Sequence, residues 1–233
     1  MEDTEYWYKS EATNWNSSRR YSNFHYDPQI TDHEGIKLNF VKFEGDWSEE
    51  LANTVYDRRA PWNLDELLVK NVHQEYIELG LDRMRLQSMR CVPTKETHPK
   101  IWAMVEATGL KDPLAMIMGQ KPGEMQTTHL DVICCNATGE RELTESMDDV
   151  EFDDTSARFF ITLTDWKWGQ FVHMGNYTWS QWKAGDTMLF DWKNLPHSTA
   201  NAGLILRPLL KVTGTITPEW EEFIKNDNKV LQV

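Results

Sequence analysis

The sequence predicts a mainly β fold, an antiparallel sandwich or jelly roll, with an α/β lobe of two or three helices ahead of it. Over residues 113–217, short runs of β-forming residues alternate with turns rich in Gly, Asn and Asp. Before residue 110, apolar residues recur instead at the spacing of amphipathic helices. We therefore expect a lobe over residues 1–110 and a β core over residues 111–233, packed together as one integrated domain.

The elements of the lobe follow from its apolar pattern and its capping residues. Residues 1–35 are polar and turn-rich, and apolar and polar residues alternate directly after them. In the last helical pattern Pro99 lies near the start and Gly109 just past the end, as is typical of helices. The predicted elements are a strand at 37–43, a helix capped by Asp46 or Ser48 and ending near Tyr56, and helices at 63–80 and within 97–109.

The core contains six runs with the length and composition of β-strands, and no internal repeat accompanies them. Turn-forming residues separate the runs at short intervals, which is typical of sandwiches and jelly rolls. The predicted strands are residues 114–119, 125–134, 158–165, 171–174, 187–191 and 204–215.

Composition restricts the class of function. The chain has 233 residues, a net charge of −13 and three cysteines without a metal-type spacing. An acidic chain is not expected to bind nucleic acid, and no apolar run reaches the roughly 18 residues of a membrane span. The N-terminal stretch is not a typical signal peptide. We expect a cytoplasmic protein with reduced thiols. The preferred interpretation of the negative charge is that it keeps the protein soluble, and the second is that it suits a basic or neutral substrate.

An acidic run at residues 140–154 lies between two predicted strands and contains one basic residue, Arg141. Charged runs between strands are usually solvated loops. The alternative is a lid that helps to select a basic substrate.

Three polar residues in the core predict a metal site. His129 and Asp131 form a His-x-Asp motif, and His197 follows much later in the chain. Two imidazoles and one carboxylate can hold one face of a ferrous ion and leave the opposite face open. Because alternate residues of a strand share a face, His129 and Asp131 would point the same way. Each histidine taken alone is more often structural, and His173 is a rival ligand.

An arginine follows His197 by ten residues. In the predicted last strand Arg207 alternates with apolar neighbours, and a buried arginine is costly unless a carboxylate meets it. A structural salt bridge would satisfy Arg207. The carboxylate of a bound ligand is the alternative that the nearby metal motif favours.

The segments ARFFITL and WKAGDTMLFDWKNLPHSTANAGLILRPLL, taken with the His-x-Asp motif, resemble the Fe(II)/2-oxoglutarate-dependent oxygenases. Their layout is similar to the aspartyl/asparaginyl β-hydroxylase and prolyl-hydroxylase-like branches. The resemblance implies a double-stranded β-helix, a cupin-like jelly roll, over residues 114–215. It also implies that iron is held by His129, Asp131 and His197, and that Arg207 binds the distal carboxylate of 2-oxoglutarate.

Many members of this superfamily place a serine two residues after the arginine, where this chain has Leu209. Another hydroxyl would then assist Arg207, and Thr127, Thr162 and Tyr177 are the candidates. Arg158 either contacts the co-substrate or substrate, as polar residues near this position do in similar enzymes, or forms a surface ion pair with the acidic run.

The resemblance implies a dioxygenase that uses Fe(II), 2-oxoglutarate and O2 to hydroxylate an unactivated C–H bond, with release of succinate and CO2. The substrate would be a small molecule or a residue of a peptide or protein. Two alternatives remain open: a metal-dependent cupin enzyme that does not use 2-oxoglutarate, and a non-catalytic β-sandwich binding module.

Overall fold

The computed structural model describes residues 36–56, 89–129, 155–175, 177–191, 197–225 and 228–233. This part of the chain contains eleven strands and three helices. The strands are β1 (Ile36–Glu44), β2 (Met89–Cys91), β3 (Lys111–Gln120), β4 (Met125–His129), β5 (Ser156–Thr162), β6 (Gln170–Met174), β7 (Tyr177–Trp179), β8 (Asp186–Phe190), β9 (His197–Asn201), β10 (Arg207–Thr215) and β11 (Lys229–Gln232). The helices are α1 (Ser48–Ala52), α2 (Pro99–Glu106) and α3 (Pro218–Lys225).

The strands form two sheets whose topology is that of a double-stranded β-helix. The large sheet has seven strands in the order β11-β1-β8-β5-β10-β3-β2, and the small sheet has four in the order β4-β9-β6-β7. From β3 to β10 the chain passes repeatedly between the sheets, with antiparallel pairing throughout. The predicted mainly β, jelly-roll fold is confirmed. The described part of residues 1–110 adds β1 and β2 to the large sheet.

One hydrophobic core lies between the large sheet and the helices. In α2 the buried residues Ile101, Met104 and Val105 have helical spacing and therefore share one face. They belong to the same cluster as Phe159 of β5 and Trp220 of α3, whose ring centroids are 5.3 Å apart. The helices thus cover the face of the large sheet that is directed away from the small sheet.

A second core fills the space between the two sheets. Leu209 belongs to this cluster, whereas its neighbour Leu210 belongs to the first one, as the alternation of side chains along a strand requires. Arg207 and Lys211 share the face of Leu209, so β10 directs two cationic side chains toward the small sheet. The buried members of the second core are Phe160, Val172, Met174, Trp179, Trp182, Met188, Phe190 and Leu209.

One predicted strand and one predicted helix of the lobe are confirmed. β1 covers the predicted strand at 37–43, and α2 lies within the predicted helix, with Gly109 at φ 70° past its end. The helix predicted up to Tyr56 is shorter, because α1 ends at Ala52. The helix expected at 63–80 lies outside the described residues. In this part of the chain, none of the helices is both long and apolar enough to cross a membrane.

The predicted strand at 204–215 begins too early. Leu204 and Ile205 lie in a bend and are 92% and 55% exposed, and β10 begins at Arg207. Ile205 therefore does not share a strand face with Arg207. A turn at this point gives the chain the length it needs to cross from the small sheet to the large sheet.

We expect the free energy of unfolding to fall as the pH is lowered below about 6.5, because His98 is buried in a neutral form. Thr54 Oγ1 donates to Glu50 O and so accepts from His98 Nε2 (3.1 Å), which leaves His98 Nδ1 to accept from Thr97 Oγ1 (2.8 Å). Burial lowers the pKa of His98, against the opposing effect of Glu50. The unfolded chain therefore takes up a proton at a higher pH than the folded chain.

Chemical denaturation between pH 7.5 and pH 6 would measure this dependence. The His98→Gln variant should lose part of the decrease that the natural chain shows. Equal slopes for the two proteins would contradict the assignment to His98.

Candidate functional site

Two histidines occupy neighbouring strands of the small sheet. β4 ends at His129, β9 begins at His197, and these two residues are partners in the antiparallel register. Partners in such a register lie about 4.5–5.5 Å apart. The His197 side chain is buried, and its ring centroid lies 4.7 Å from that of Phe190 on β8 of the large sheet. His197 therefore lies in the space between the sheets.

Arg207 is buried in the same space between the sheets. Its side chain is 4% exposed, and Nη1 donates a hydrogen bond to Phe171 O of β6 at 3.1 Å. Nε is buried without a hydrogen-bond partner, and among the residues that the structure describes no carboxylate forms an ion pair with the guanidinium. Burial lowers the pKa of Arg207 to about 10, so the group is still cationic at neutral pH.

Asn201 fixes the turn that leads into Arg207. Its side chain is fully buried, and Nδ2 donates to Gln120 O at 2.8 Å and to Ile205 O at 2.7 Å. Gly203 N in turn donates to Asn201 Oδ1. One amide thus ties the end of β9, the following turn and the end of β3 together, and this sets the point at which Arg207 enters the large sheet.

Gln120 lies beside Arg207, directly opposite it in the pairing of β3 with β10. Its side chain is 1% exposed and reaches the small sheet, where Nε2 donates to Thr199 Oγ1 at 2.7 Å. Oε1 is buried and has no hydrogen-bond partner in the described part of the chain. Two neighbouring side chains of the large sheet therefore both present unsatisfied polar atoms to the interior.

Gln120 and Thr199 were not predicted from the sequence. Gln120 could have been found, because it continues the alternation of Met116 and Met118 on β3 and so had to point the same way. Thr199 is separated from His197 by one residue in a short polar stretch without a clear strand pattern.

Two more cations are buried toward the His197 end of the interior. β9 leads from His197 to the turn before Arg207, and β10 then runs back, so that Lys211 lies about 13 Å along the strand from Arg207. Arg158 of β5 donates through Nε to Thr213 Oγ1 of β10 at 2.9 Å. Arg158 is 4% exposed and lies in the interior, so the expected surface position is wrong.

The structure also describes His173 and Thr162, two further residues that were considered for the site. His173, the rival ligand, occupies the opposite face of the small sheet from His197: it pairs with Ser198, and its exposed Nδ1 contacts Thr178 Oγ1 at 2.9 Å. The Thr162 hydroxyl donates to Lys183 O in the turn before β8 at 2.5 Å and to Asp186 O at the start of β8 at 3.2 Å.

Tyr177 opens β7 at the edge of the small sheet and packs on the second core. Thr127 lies within β4. Asp131 and the acidic run at 140–154 fall outside the described residues. Within those residues, no three His, Cys, Asp or Glu side chains form a group that could hold a metal ion.

Comparison with known proteins gives structural neighbours only. No family model matches the chain, and no curated protein matches it significantly. Among solved structures, the viral collagen prolyl hydroxylase of Paramecium Bursaria Chlorella virus-1, solved with 2OG, is 12% identical, with a TM-score of 0.44 over 81% of this chain and 99% of the viral one.

Two further structures have lower scores. A Pseudomonas putida prolyl-4-hydroxylase is 16% identical, with a TM-score of 0.40 over 72% of this chain and 96% of that one. A Cupin 2 conserved barrel domain protein from Salinispora arenicola is 12% identical, with a TM-score of 0.30 over 62% of this chain and 92% of that one.

Proposed function

We propose that this chain is an Fe(II)- and 2-oxoglutarate-dependent dioxygenase that hydroxylates an unactivated C–H bond. The observation that carries the proposal is Arg207, a buried cation whose Nε has no hydrogen-bond partner among the described residues, in the same inter-sheet space as His197. A buried charge without a counter-ion costs several kcal/mol, so a site of this kind is built to receive an anion. A dicarboxylate co-substrate would supply that anion.

The chain's own residues fit the metal as well. His197 and His129 occupy partner positions in one register, and Asp131 follows His129 by two residues. We assign the three as ligands, a set of two imidazoles and one carboxylate that suits ferrous iron and leaves positions open. Iron and 2-oxoglutarate, when bound, supply the oxidation of a C–H bond by O2 with release of succinate and CO2.

The protein's own side chains would orient the co-substrate and exclude water. Arg207 would bind the distal carboxylate of the co-substrate and fix its orientation along the interior. Phe190, packed on His197, and the aromatic side chains around it would exclude water from the reacting centre. Arg158 lies toward the His197 end and is our candidate for contact with the substrate. That substrate would be a small molecule or a residue of a peptide or protein, encountered in the cytoplasm.

The test is an anaerobic titration of Fe(II) and then 2-oxoglutarate into the purified protein, followed by visible absorption. We expect the weak metal-to-ligand charge-transfer band of the chelate at one equivalent, and its loss in His197→Ala. His173→Ala is the matched control, because His173 lies on the outer face of the same sheet, and it should keep the band.

The other outcomes point to different functions. Binding of iron without a 2-oxoglutarate band would replace the proposal with a cupin enzyme of different chemistry. A natural chain that binds no iron would make the histidine pair a structural feature and would favour a non-catalytic binding module.

A further inference from the structure

We propose that Gln120 is a second positioning residue for the distal carboxylate of the co-substrate, held in place by Thr199. The inference rests on the proposed function and adds to it a residue that donates beside Arg207. It rests on three features of the interior: the placement of the two side chains, the unsatisfied atoms they carry, and their distance from His197.

Gln120 and Arg207 lie side by side in the large sheet. They are partners in the register of β3 and β10, so their Cβ atoms are about 4.5–5.5 Å apart on one face of the large sheet. Both side chains cross to the small sheet, Arg207 to Phe171 O and Gln120 to Thr199 Oγ1. Phe171 pairs with Ala200, the neighbour of Thr199, so the two side chains also end next to each other.

Each of the two side chains carries one polar atom that is left unsatisfied. Arg207 Nε and Gln120 Oε1 are both buried without a partner in the described part of the chain. The nitrogen and oxygen of a glutamine amide exchange places by rotation about the last bond. After that rotation the Thr199 hydroxyl donates to Oε1, and Nε2 directs an N–H into the space that Arg207 faces. A carboxylate bound there would then receive hydrogen bonds from both side chains.

The distance from His197 matches the length of a short dicarboxylate. Thr199 lies two residues from His197 on the same face of β9, about 6.6 Å along the strand. A five-carbon 2-oxo diacid with its keto acid end at a metal on His197 would place its other carboxylate near Thr199, between Gln120 and Arg207.

Two other positions considered for this role, Leu209 and Thr162, are less well placed. The position two residues after Arg207 is Leu209, which packs in the second core. The Thr162 hydroxyl is engaged with the turn before β8. Gln120, in contrast, is a neutral donor that lies directly beside Arg207.

The test compares two ligands in the Fe(II)-loaded protein without O2: 2-oxoglutarate, and 2-oxopentanoate, which has the same keto acid end but no distal carboxylate. The ratio of their dissociation constants measures the contribution of the distal carboxylate alone. Gln120→Met keeps the volume and removes the amide, and we expect it to reduce the preference for 2-oxoglutarate about tenfold to a hundredfold, with unchanged affinity for 2-oxopentanoate and for Fe(II).

Two further variants sharpen the result. Gln120→Glu puts a like charge beside the carboxylate and should reduce the preference at least as much as Gln120→Met. Thr199→Val removes the group that orients the amide and should give a smaller loss in the same direction.

Three outcomes would overturn the inference, and they separate it from the proposed function. If Gln120→Met keeps the full preference, Gln120 does not contact the carboxylate, although the co-substrate still binds. If both ligands weaken equally, the role of Gln120 is structural. If the natural chain does not bind 2-oxoglutarate at all, the proposed function itself fails and the inference falls with it.

Discussion

Arg207→Leu is expected to weaken the binding of 2-oxoglutarate by at least a hundredfold without destabilising the ligand-free protein by more than about 1 kcal/mol. The guanidinium is buried and its Nε has no hydrogen-bond partner in the part of the chain that the structure describes, so the ligand-free protein loses little when the charge is removed. Removing a buried charge also removes the cost of taking it out of water, which is several kcal/mol for an ion. The substitution does remove the hydrogen bond to Phe171 O, which offsets part of that gain.

Isothermal titration of the Fe(II)-loaded protein without O2 would measure the affinity, and chemical denaturation of the metal-free protein would measure the stability. Arg207→Lys is the matched control: it keeps the charge but not the planar donor pair, and it should lie between the natural chain and Arg207→Leu. A large loss of stability with unchanged affinity would instead make Arg207 a structural residue with a partner outside the described part of the chain.

The strands that pack on apolar residues were predictable from the sequence, and the strand that carries His197 was not. β3, β5, β6, β8 and β10 each contain apolar side chains at alternate positions or in short runs. β9 has the sequence HSTAN, and its inward side chains His197, Thr199 and Asn201 are polar. A strand that lines a polar site lacks the apolar alternation on which recognition of strands depends.

Helix α3 was missed although the sequence carries its start signal. The Thr217 hydroxyl accepts a hydrogen bond from Trp220 N at 3.1 Å, which is an N-cap, and Pro218 is the first residue of the helix. The buried residues Trp220 and Phe223 are three apart and pack on the large sheet. β11 is short and partly exposed, and its parallel pairing with β1 joins the two ends of the described chain, which no local pattern predicts.

The sequence marked His197 and Arg207 of the candidate site, but not Gln120 or Asn201. The spacing of His197 and Arg207 is visible in the sequence, and both side chains are buried between the sheets. Gln120 lies far from Arg207 in sequence and meets it only through the register of β3 with β10. The role of Asn201 likewise depends on two carbonyls that come together only in the folded chain.

Gly185→Ala is expected to destabilise the fold by roughly 4 kcal/mol or more, the scale of exceptional single substitutions. Gly185 has φ 85°, which disfavours any side chain, and a Cβ at this position would lie 1.8 Å from Phe43 O. The backbone cannot yield easily, because Phe43 N donates to Gly185 O at 2.9 Å and Gly185 N donates to Thr162 O at 2.7 Å. To accept the methyl group, β1 must move away from the start of β8 and disturb the first core, in which Phe43 is fully buried.

Gly123→Ala is the control that distinguishes the steric clash expected at Gly185 from the cost of a positive φ for alanine. Gly123 has φ 80°, close to that of Gly185, but a methyl group added to it would meet no described atom within 4 Å beyond its chain neighbours. We expect this variant to lose only about 1–2 kcal/mol, the cost of a left-handed backbone for alanine. Chemical denaturation of both variants gives the difference, which measures the contact between Gly185 and Phe43. Equal losses would mean that the two strands separate freely at this point and that Gly185 is required for its conformation alone.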